Sequence, residues 1–246
     1  MKIDKTRVHN ILFITLSNIG DVVLTLPVLG VLKREFPQAK ITIMVSPAAK
    51  EIFQNDPAIS KIIVYDKHIS FLEKINLGLR LRRKKFDLVV DLRSTTYPLL
   101  INAVYSTSLV KKKMKGVISK RYEHLSKLAS LGLDISNASY NLFFSDENKL
   151  KIKDMLAQMG ISDGDKIAAI APGAKSHIKR WAAGNFADVC RRLNKELGVK
   201  TILTGDAQDK EIASQIMSYG LNDTYDATGQ TSLLELSFLL SKCKLL

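Results

Sequence analysis

Apolar residues in this chain fall into short continuous runs separated by longer stretches with helical spacing, and from Asn10 onward the two alternate. That alternation predicts βαβ units around a parallel sheet. Ile11-Leu12-Phe13-Ile14-Thr15-Leu16 is apolar almost throughout, as a strand buried on both faces requires. A helix is predicted from about Asp21 to Phe36, with Val22, Leu26 and Leu29 at helical spacing and Pro37 as its stop. Ile41–Val45, Ile62–Tyr65 and Phe86–Leu92 read as the next strands, with a helix near Ala48–Gln54 and a basic amphipathic helix over Phe71–Lys84. From there to Leu142 the pattern weakens, and only Tyr122–Leu131 reads as helical.

A fresh cycle follows. Asp146–Met159 is a predicted helix with Ser145 as its N-cap and Gly160 closing it. Ile167–Ala171, Lys200–Thr204 and Tyr225–Gly229 read as strands, the last as a short strand and turn. Asn185–Leu197, Asp209–Tyr219 and Ser232–Lys242 are helical in pattern, the first two ending at Gly198 and Gly220. The restart predicts an α/β protein with two Rossmann-like doubly wound domains, 1–160 and 161–246, their boundary falling near 145–165. Leu245-Leu246 looks like the start of another strand. A half sheet left without it would carry an unpaired edge, so the second domain is expected to be truncated at this point.

Composition narrows the function classes. No apolar run approaches the roughly 20 residues that span a bilayer, and Met1-Lys2-Ile3-Asp4-Lys5 leads into a strand rather than a signal peptide, so a cytoplasmic protein is expected. The two cysteines, Cys190 and Cys243, lie in helical patterns where buried free thiols are the expectation. A formal net charge of +13 favours anionic partners. The excess is concentrated in Arg80, Arg82, Arg83, Lys84 and Lys85 and in Lys111, Lys112, Lys113 and Lys115. Solvated helix ends explain such runs as well as a binding patch does. Neither cluster is interleaved with aromatic residues that would stack bases, which argues against nucleic acid.

Two strand-to-helix junctions could carry chemistry. The first, Ser17-Asn18-Ile19-Gly20-Asp21, sits at a helix N-terminus, where backbone N–H groups and the helix dipole suit anions or polar ligands. A dinucleotide fingerprint needs G-x-G-x-x-G here, and only Gly20 is present, so an NAD-dependent dehydrogenase is not supported. Asp21 reads either as a catalytic carboxylate or as a helix cap worth roughly 0.5–2 kcal/mol. The second junction runs from Ala171-Pro172-Gly173-Ala174-Lys175-Ser176-His177 to Lys179-Arg180-Trp181. Glycine, a hydroxyl and several cations near a helix start suit a diphosphate, although the Walker A pattern is absent. Trp181 reads as a packing anchor more readily than as a stacking platform. His177 has no neighbouring His or Cys to suggest a metal site.

Gly20-Asp21-Val22-Val23-Leu24-Thr25-Leu26-Pro27 with Phe36-Pro37, the Pro172-Gly173-Ala174 turn, Lys179-Arg180-Trp181, Leu203-Thr204-Gly205-Asp206 and Ala227-Thr228-Gly229-Gln230-Thr231-Ser232-Leu233 occur in one order. Together they resemble glycosyltransferase family 9, the heptosyltransferases, over nearly the whole chain. The resemblance implies a GT-B architecture with an N-terminal acceptor-binding domain and a C-terminal nucleotide-sugar-binding domain. It implies metal-independent, inverting transfer of heptose from ADP-heptose or a related nucleotide sugar to the inner core of lipopolysaccharide, with no cofactor. By position Asp21 corresponds to the family's general base, with Ser17, Asn18 and Gly20 forming the acceptor-side loop. Lys179 corresponds to the residue pairing with the donor diphosphate, beside Gly173, Ala174, Ser176 and Gly205, and Asp209 falls near the acidic ribose contact. The family continues after a segment like Cys243-Lys244-Leu245-Leu246 into a donor-contacting loop that this chain does not contain. An anionic lipid A–core acceptor would give the basic clusters a purpose at the inner face of the cytoplasmic membrane. The competing readings are a catalytically inactive truncated remnant that keeps an anionic-glycan cleft, and a general nucleotide-binding α/β protein.

Overall fold

Strand β1 (Asn10–Ile14) is the centre of the first sheet, and Ile11 through Ile14 are fully buried, as its unbroken apolar run requires. A computed structural model describes residues 3–66, 68–107, 119–174, 178 and 180–245. β1 pairs in parallel with β2 (Lys40–Val45) on one side and β4 (Leu88–Asp91) on the other. β3 (Ile59–Val64) and β5 (Tyr105–Ser106) complete the order β3-β2-β1-β4-β5, all parallel. Helix α1 (Ile19–Glu35) links β1 to β2, and α2 (Phe71–Arg82) carries the chain from β3 back to β4 on the far side of β1. Right-handed crossovers of opposite direction put these two helices on opposite faces. On the α2 face Leu12, Ile14, Met44 and Val89 meet Leu77 and Leu81, with Tyr97 and Ile101 of α3 (Tyr97–Ile101). On the other face α1 packs against α4 (Lys120–Ala129).

Gly30 gives α1 a smooth spot, because a β-carbon there would fall on the carbonyl of Ser139. The returning segment is tied down beside it. Arg34 donates to the carbonyl of Ser136 at 2.7 Å, and Lys33 and the Tyr140 hydroxyl both meet the buried Asp56 carboxylate, at 3.1 and 2.5 Å.

The second sheet has the order β6-β7-β8, from β6 (Lys166–Ile170), β7 (Val199–Leu203) and β8 (Thr224–Asp226), again all parallel. Leu245 bridges Ala168 on the free side of β6 in parallel sense, as a following strand was expected to do. Helices α6 (Ala183–Leu197) and α7 (Lys210–Met217) cover one face through Ala187, Cys190, Ala213 and Ile216. The opposite face is covered by α5 (Asp146–Gln158) and α8 (Leu233–Lys242), where Ile152 and Leu239 pack on Ile167 and Ile202. Ser145 caps α5 as expected, and Gly160, Gly198 and Gly220 hold positive φ after their helices. Cys190 and Cys243 are free thiols, raised above the usual thiol range chiefly by burial.

Two expectations are corrected, and two short elements are added. The chain divides into compact units Met1–Phe143 and Phe144–Leu246 rather than at residue 160. α5 belongs to the second unit because Ile152 is buried among its apolar residues and Lys151 pairs with Glu235 of α8 at 3.0 Å. The segment after β2 is a 3-10 helix, Pro47–Phe53, a length at which α-helical cooperativity adds little. α3 and β5 were unforeseen, being too short to show a period.

Candidate functional site

The first sheet changes direction between β1 and β4, and in doubly wound sheets the ligand crevice opens at the carboxyl ends of the strands at such a point. The loop leaving β1 there is held firmly. Thr15 and Thr25 share a buried hydroxyl–hydroxyl bond of 2.7 Å, and Ser46, at the end of β2, donates to the carbonyl of Ser17 at 2.6 Å. Asn18 occupies the N-cap position of α1, where its carbonyl accepts the Val22 N–H at 2.9 Å. Its side chain makes no backbone cap. Instead its amide donates to Asp21 Oδ2 at 3.0 Å. Asp21, half-buried in the first helical turn, is therefore not the capping residue that one reading of the sequence allowed. A β-carbon at Gly20 would meet nothing within 4 Å, so the helix start is open on that side.

β4 delivers a second set of polar groups to the same edge. Asp91 is buried, and its carboxylate accepts the N–H groups of Arg93 and Thr95 at 2.8 and 2.6 Å and the Thr95 hydroxyl at 2.7 Å. Those bonds fold the strand end into a tight turn. Lys127 of α4 donates to the Asp91 carbonyl at 2.7 Å and to the Ser94 hydroxyl at 3.1 Å. The Arg93 guanidinium lies 4.7 Å above the Tyr65 ring, which orients it before any ligand arrives. His124, on the same helix as Lys127, is buried, and burial pushes its imidazole below the ordinary range. The Glu123 carboxylate opposes that shift, Lys127 and Lys120 reinforce it, and Asp21 weakly opposes it. Asp91, Arg93, Lys127 and His124 were not singled out from the sequence. The available signal was an acid closing an otherwise apolar strand, Leu88-Val89-Val90-Asp91, with Arg93-Ser94-Thr95 after it.

In the second unit the carboxyl ends of β6 and β7 bring Gly173, Gly205 and Asp209 together. A β-carbon at Gly173 would fall on the Asp209 carboxylate, and one at Gly205 would stand 2.5 Å from Asp209 Oδ2. Asp209 accepts the Asp206 N–H at 3.0 Å while Asp206 accepts the Gln208 N–H at 2.7 Å, so the two acids cap a 3-10 turn at Ala207–Asp209. Beyond β8, Asp226 accepts the N–H and hydroxyl of the buried Thr228 at 2.8 and 2.7 Å. Gly229, at φ +66°, donates its N–H to the Gly205 carbonyl at 2.9 Å. The Ala174 carbonyl accepts from Arg180 at 2.9 Å. Trp181 is half-exposed with its ring set edge-on to Phe186, 5.4 Å between centroids. Lys175, Ser176, His177 and Lys179 lie outside the described residues, as does the cluster Lys111–Lys115. Among the described residues no three His, Cys, Asp or Glu side chains gather as metal ligands would, and no helix is long and apolar enough to cross a membrane.

A family model described as glycosyltransferase family 9 (heptosyltransferase) matches residues 75–246. Lipopolysaccharide heptosyltransferase 2 of Salmonella typhimurium is 25% identical over 270 residues, covering 95% of this chain and 75% of the relative. Lipopolysaccharide heptosyltransferase 3 of Escherichia coli K12 is 24% identical over 208 residues, covering 75% of this chain and 60% of the relative. The matched stretch is thus 60% to 75% of the length of these curated relatives. Among solved structures, a glycosyl transferase family 9 protein from Veillonella parvula superposes with a TM-score of 0.80 at 24% identity, over 99% of this chain and 75% of that one. The E. coli ADP-heptose lipopolysaccharide heptosyltransferase II gives 0.69 at 22% identity, over 96% of this chain and 77% of that one. E. coli heptosyltransferase WaaC with ADP also gives 0.69, at 17% identity, over 96% and 79%. These likenesses establish the GT-B type of fold.

Proposed function

The chain belongs to glycosyltransferase family 9, and from that premise we propose that it transfers heptose from ADP-heptose to the inner core of lipopolysaccharide, with Asp21 as general base. The observation that carries this reading is the placement of Asp21 in the first turn of α1, at the carboxyl edge where the sheet reverses direction. Its carboxylate is held by Asn18 rather than used up on backbone N–H groups. In the reaction the acceptor hydroxyl oxygen attacks the anomeric carbon while Asp21 takes its proton. The bond from that carbon to the diphosphate oxygen breaks, and ADP departs with the electron pair, inverting the centre. Negative charge grows on the departing diphosphate. Lys179 and the backbone at Gly173 and Ala174 are the groups assigned to stabilise it. Arg93, oriented over Tyr65, is suited to a phosphorylated acceptor.

Relatives solved with ADP and with an ADP-heptose analogue support the donor assignment, since both are E. coli heptosyltransferases of this fold. The test is to incubate the protein with ADP-heptose and a heptose-deficient lipopolysaccharide and follow ADP release and glycan mass. A mass increase of one heptose is the expected result. ADP binding without transfer to any such acceptor overturns it in favour of a nucleotide-binding role.

A further inference from the structure

Helix α2 has two apolar faces, and the fold uses one of them. Leu77, Gly78 and Leu81 are buried against Tyr97, Leu100 and the sheet. Leu72, Ile75 and Leu79 follow at i, i+3 and i+7, a stripe turned away from that core. Leu72 is 71% and Leu79 47% exposed, and Phe71 at the helix start is 75% exposed. An ordinary solvated face would carry polar residues at these positions.

The polar positions around the stripe are almost all cationic. Arg80, Arg82 and Arg83 flank it, and Lys84 and Lys85 follow directly. Glu73, the one acid of the helix, is turned to the Ser70 N–H at 2.8 Å as part of the N-terminal capping box. Lys61, on the edge strand β3, faces Lys84, and that neighbouring ammonium depresses Lys84 below the usual lysine range. Among the described residues none of these six cations forms an ion pair. Between β3 and α2 lies an open groove of about 640 Å³, with Val64, Leu79, Arg80 and Arg83 along it beside two acids, Asp66 and Glu73. Its wall therefore joins the apolar stripe to the cations.

We propose that this face of α2, with Lys61 of β3, docks on an anionic phospholipid bilayer, Phe71, Leu72 and Leu79 entering the interfacial layer while Arg80, Arg83 and Lys84 meet headgroup phosphates. Apolar side chains flanked by arginine and lysine on one exposed helix face match what an interfacial helix needs, apolar area and attraction to anionic lipid together. Nucleic acid would use the cations but leave the leucines without a role, and a neutral apolar partner would leave the cations unpaired. The inference stands apart from the transfer reaction, because binding to a vesicle needs neither donor nor acceptor.

The test is sedimentation with vesicles of phosphatidylcholine alone and with about 30% phosphatidylglycerol. The protein is expected to partition at least about tenfold more strongly onto the anionic vesicles, and less so as salt rises. Arg80→Gln/Arg83→Gln and, separately, Leu72→Ser/Leu79→Ser should each lower that partition by about tenfold or more, with unchanged thermal melts because all four side chains are exposed. A Leu72→Trp reporter should shift its emission to the blue only with the anionic vesicles, and this reading does not depend on the double variants folding. Equal partition onto both vesicles, wild-type binding by the leucine variant, or no emission shift overturns the proposal. So does tighter binding to a DNA duplex that the arginine variant loses and the leucine variant keeps.

Discussion

Asn18 donates its side-chain amide to Asp21 across 3.0 Å, so the first turn of α1 is closed by a side-chain pair and not by a carboxylate on the backbone. The consequence separates stability from chemistry at Asp21. Asp21→Asn keeps an oxygen for the Asn18 amide and removes only the charge that favours a helix N-terminus, a contribution of about 0.3–1 kcal/mol. Loss of general-base assistance lowers turnover by about 10²–10⁴-fold. Turnover on a heptose-deficient acceptor, measured beside a thermal melt of the same preparation, is expected to collapse while the melt barely moves. Near-normal turnover would remove Asp21 from the mechanism.

Gly20 makes the complementary prediction. It lies within α1, and a β-carbon there meets nothing, so Gly20→Ala is expected to stabilise the protein by about 0.5–1 kcal/mol. If the acceptor approaches the backbone on that open side, the same methyl group raises KM. A stability gain with unchanged KM would place the acceptor elsewhere.

The pattern of apolar runs pointed to both sheets, because β1, β2, β4 and β6 are short, mostly apolar and largely buried runs that alternate with longer stretches of helical spacing. The junctions that hold Asp21 and Gly173 were marked by the apolar pattern itself, whereas Gly205 and Asp209 were named only through the family resemblance. Asp91, Arg93 and Lys127 were not. Their relation depends on α4 folding back onto α1 so that Lys127 meets the Asp91 carbonyl, 36 residues away in sequence. The clasp of Lys33, Asp56 and Tyr140 was equally hidden, because its members come from three separate segments.

That clasp is expected to matter for stability alone. The Asp56 carboxylate is buried and receives Lys33 at 3.1 Å and Tyr140 at 2.5 Å, and burial, followed by the bond to Asp56, raises the Tyr140 phenol well above its usual range. Asp56→Ala strands an ammonium and a hydroxyl together and is expected to cost about 3–5 kcal/mol in denaturant unfolding. Tyr140→Phe removes a single charge-assisted bond and should cost about 1.5–3 kcal/mol. Equal, small effects would mean that the segment is held by Gly30 and Arg34 instead.

Asp165 sets an acid limit on the second unit. The Ser162 N–H at 2.7 Å, then Lys200 at 3.0 Å, hold its carboxyl at about 2, below its ordinary 3.8. A depressed folded-state value contributes stability that is fully present above the unfolded pKa and is lost as pH falls through the folded one. Wild type is therefore expected to exceed Asp165→Asn in stability above about pH 4 and to lose that advantage by about pH 2. Parallel acid-denaturation curves for the two proteins would show that the carboxylate contributes nothing.

The last prediction concerns Gly173 and Asp209, which the turn after β6 brings into contact. Any side chain at Gly173 must displace the Asp209 carboxylate, and with it the bond from the Asp206 N–H that closes the following turn. Gly173→Ala is expected to destabilise the protein by about 1–3 kcal/mol, the usual range for a group forced into filled space. Shortening the opposing side chain makes room for the methyl group. Asp209→Ala in the same chain should therefore recover most of that loss, and the interaction energy of the double-mutant cycle should be of the same size. ADP affinity, measured by calorimetry on all four proteins, separates the packing role of Asp209 from a ribose contact. If Asp209 only packs, the double variant regains ADP binding along with its stability. If it also holds the ribose, stability returns and ADP affinity does not. Additive destabilisation, with no recovery in the double variant, would show that the two residues do not oppose one another in solution.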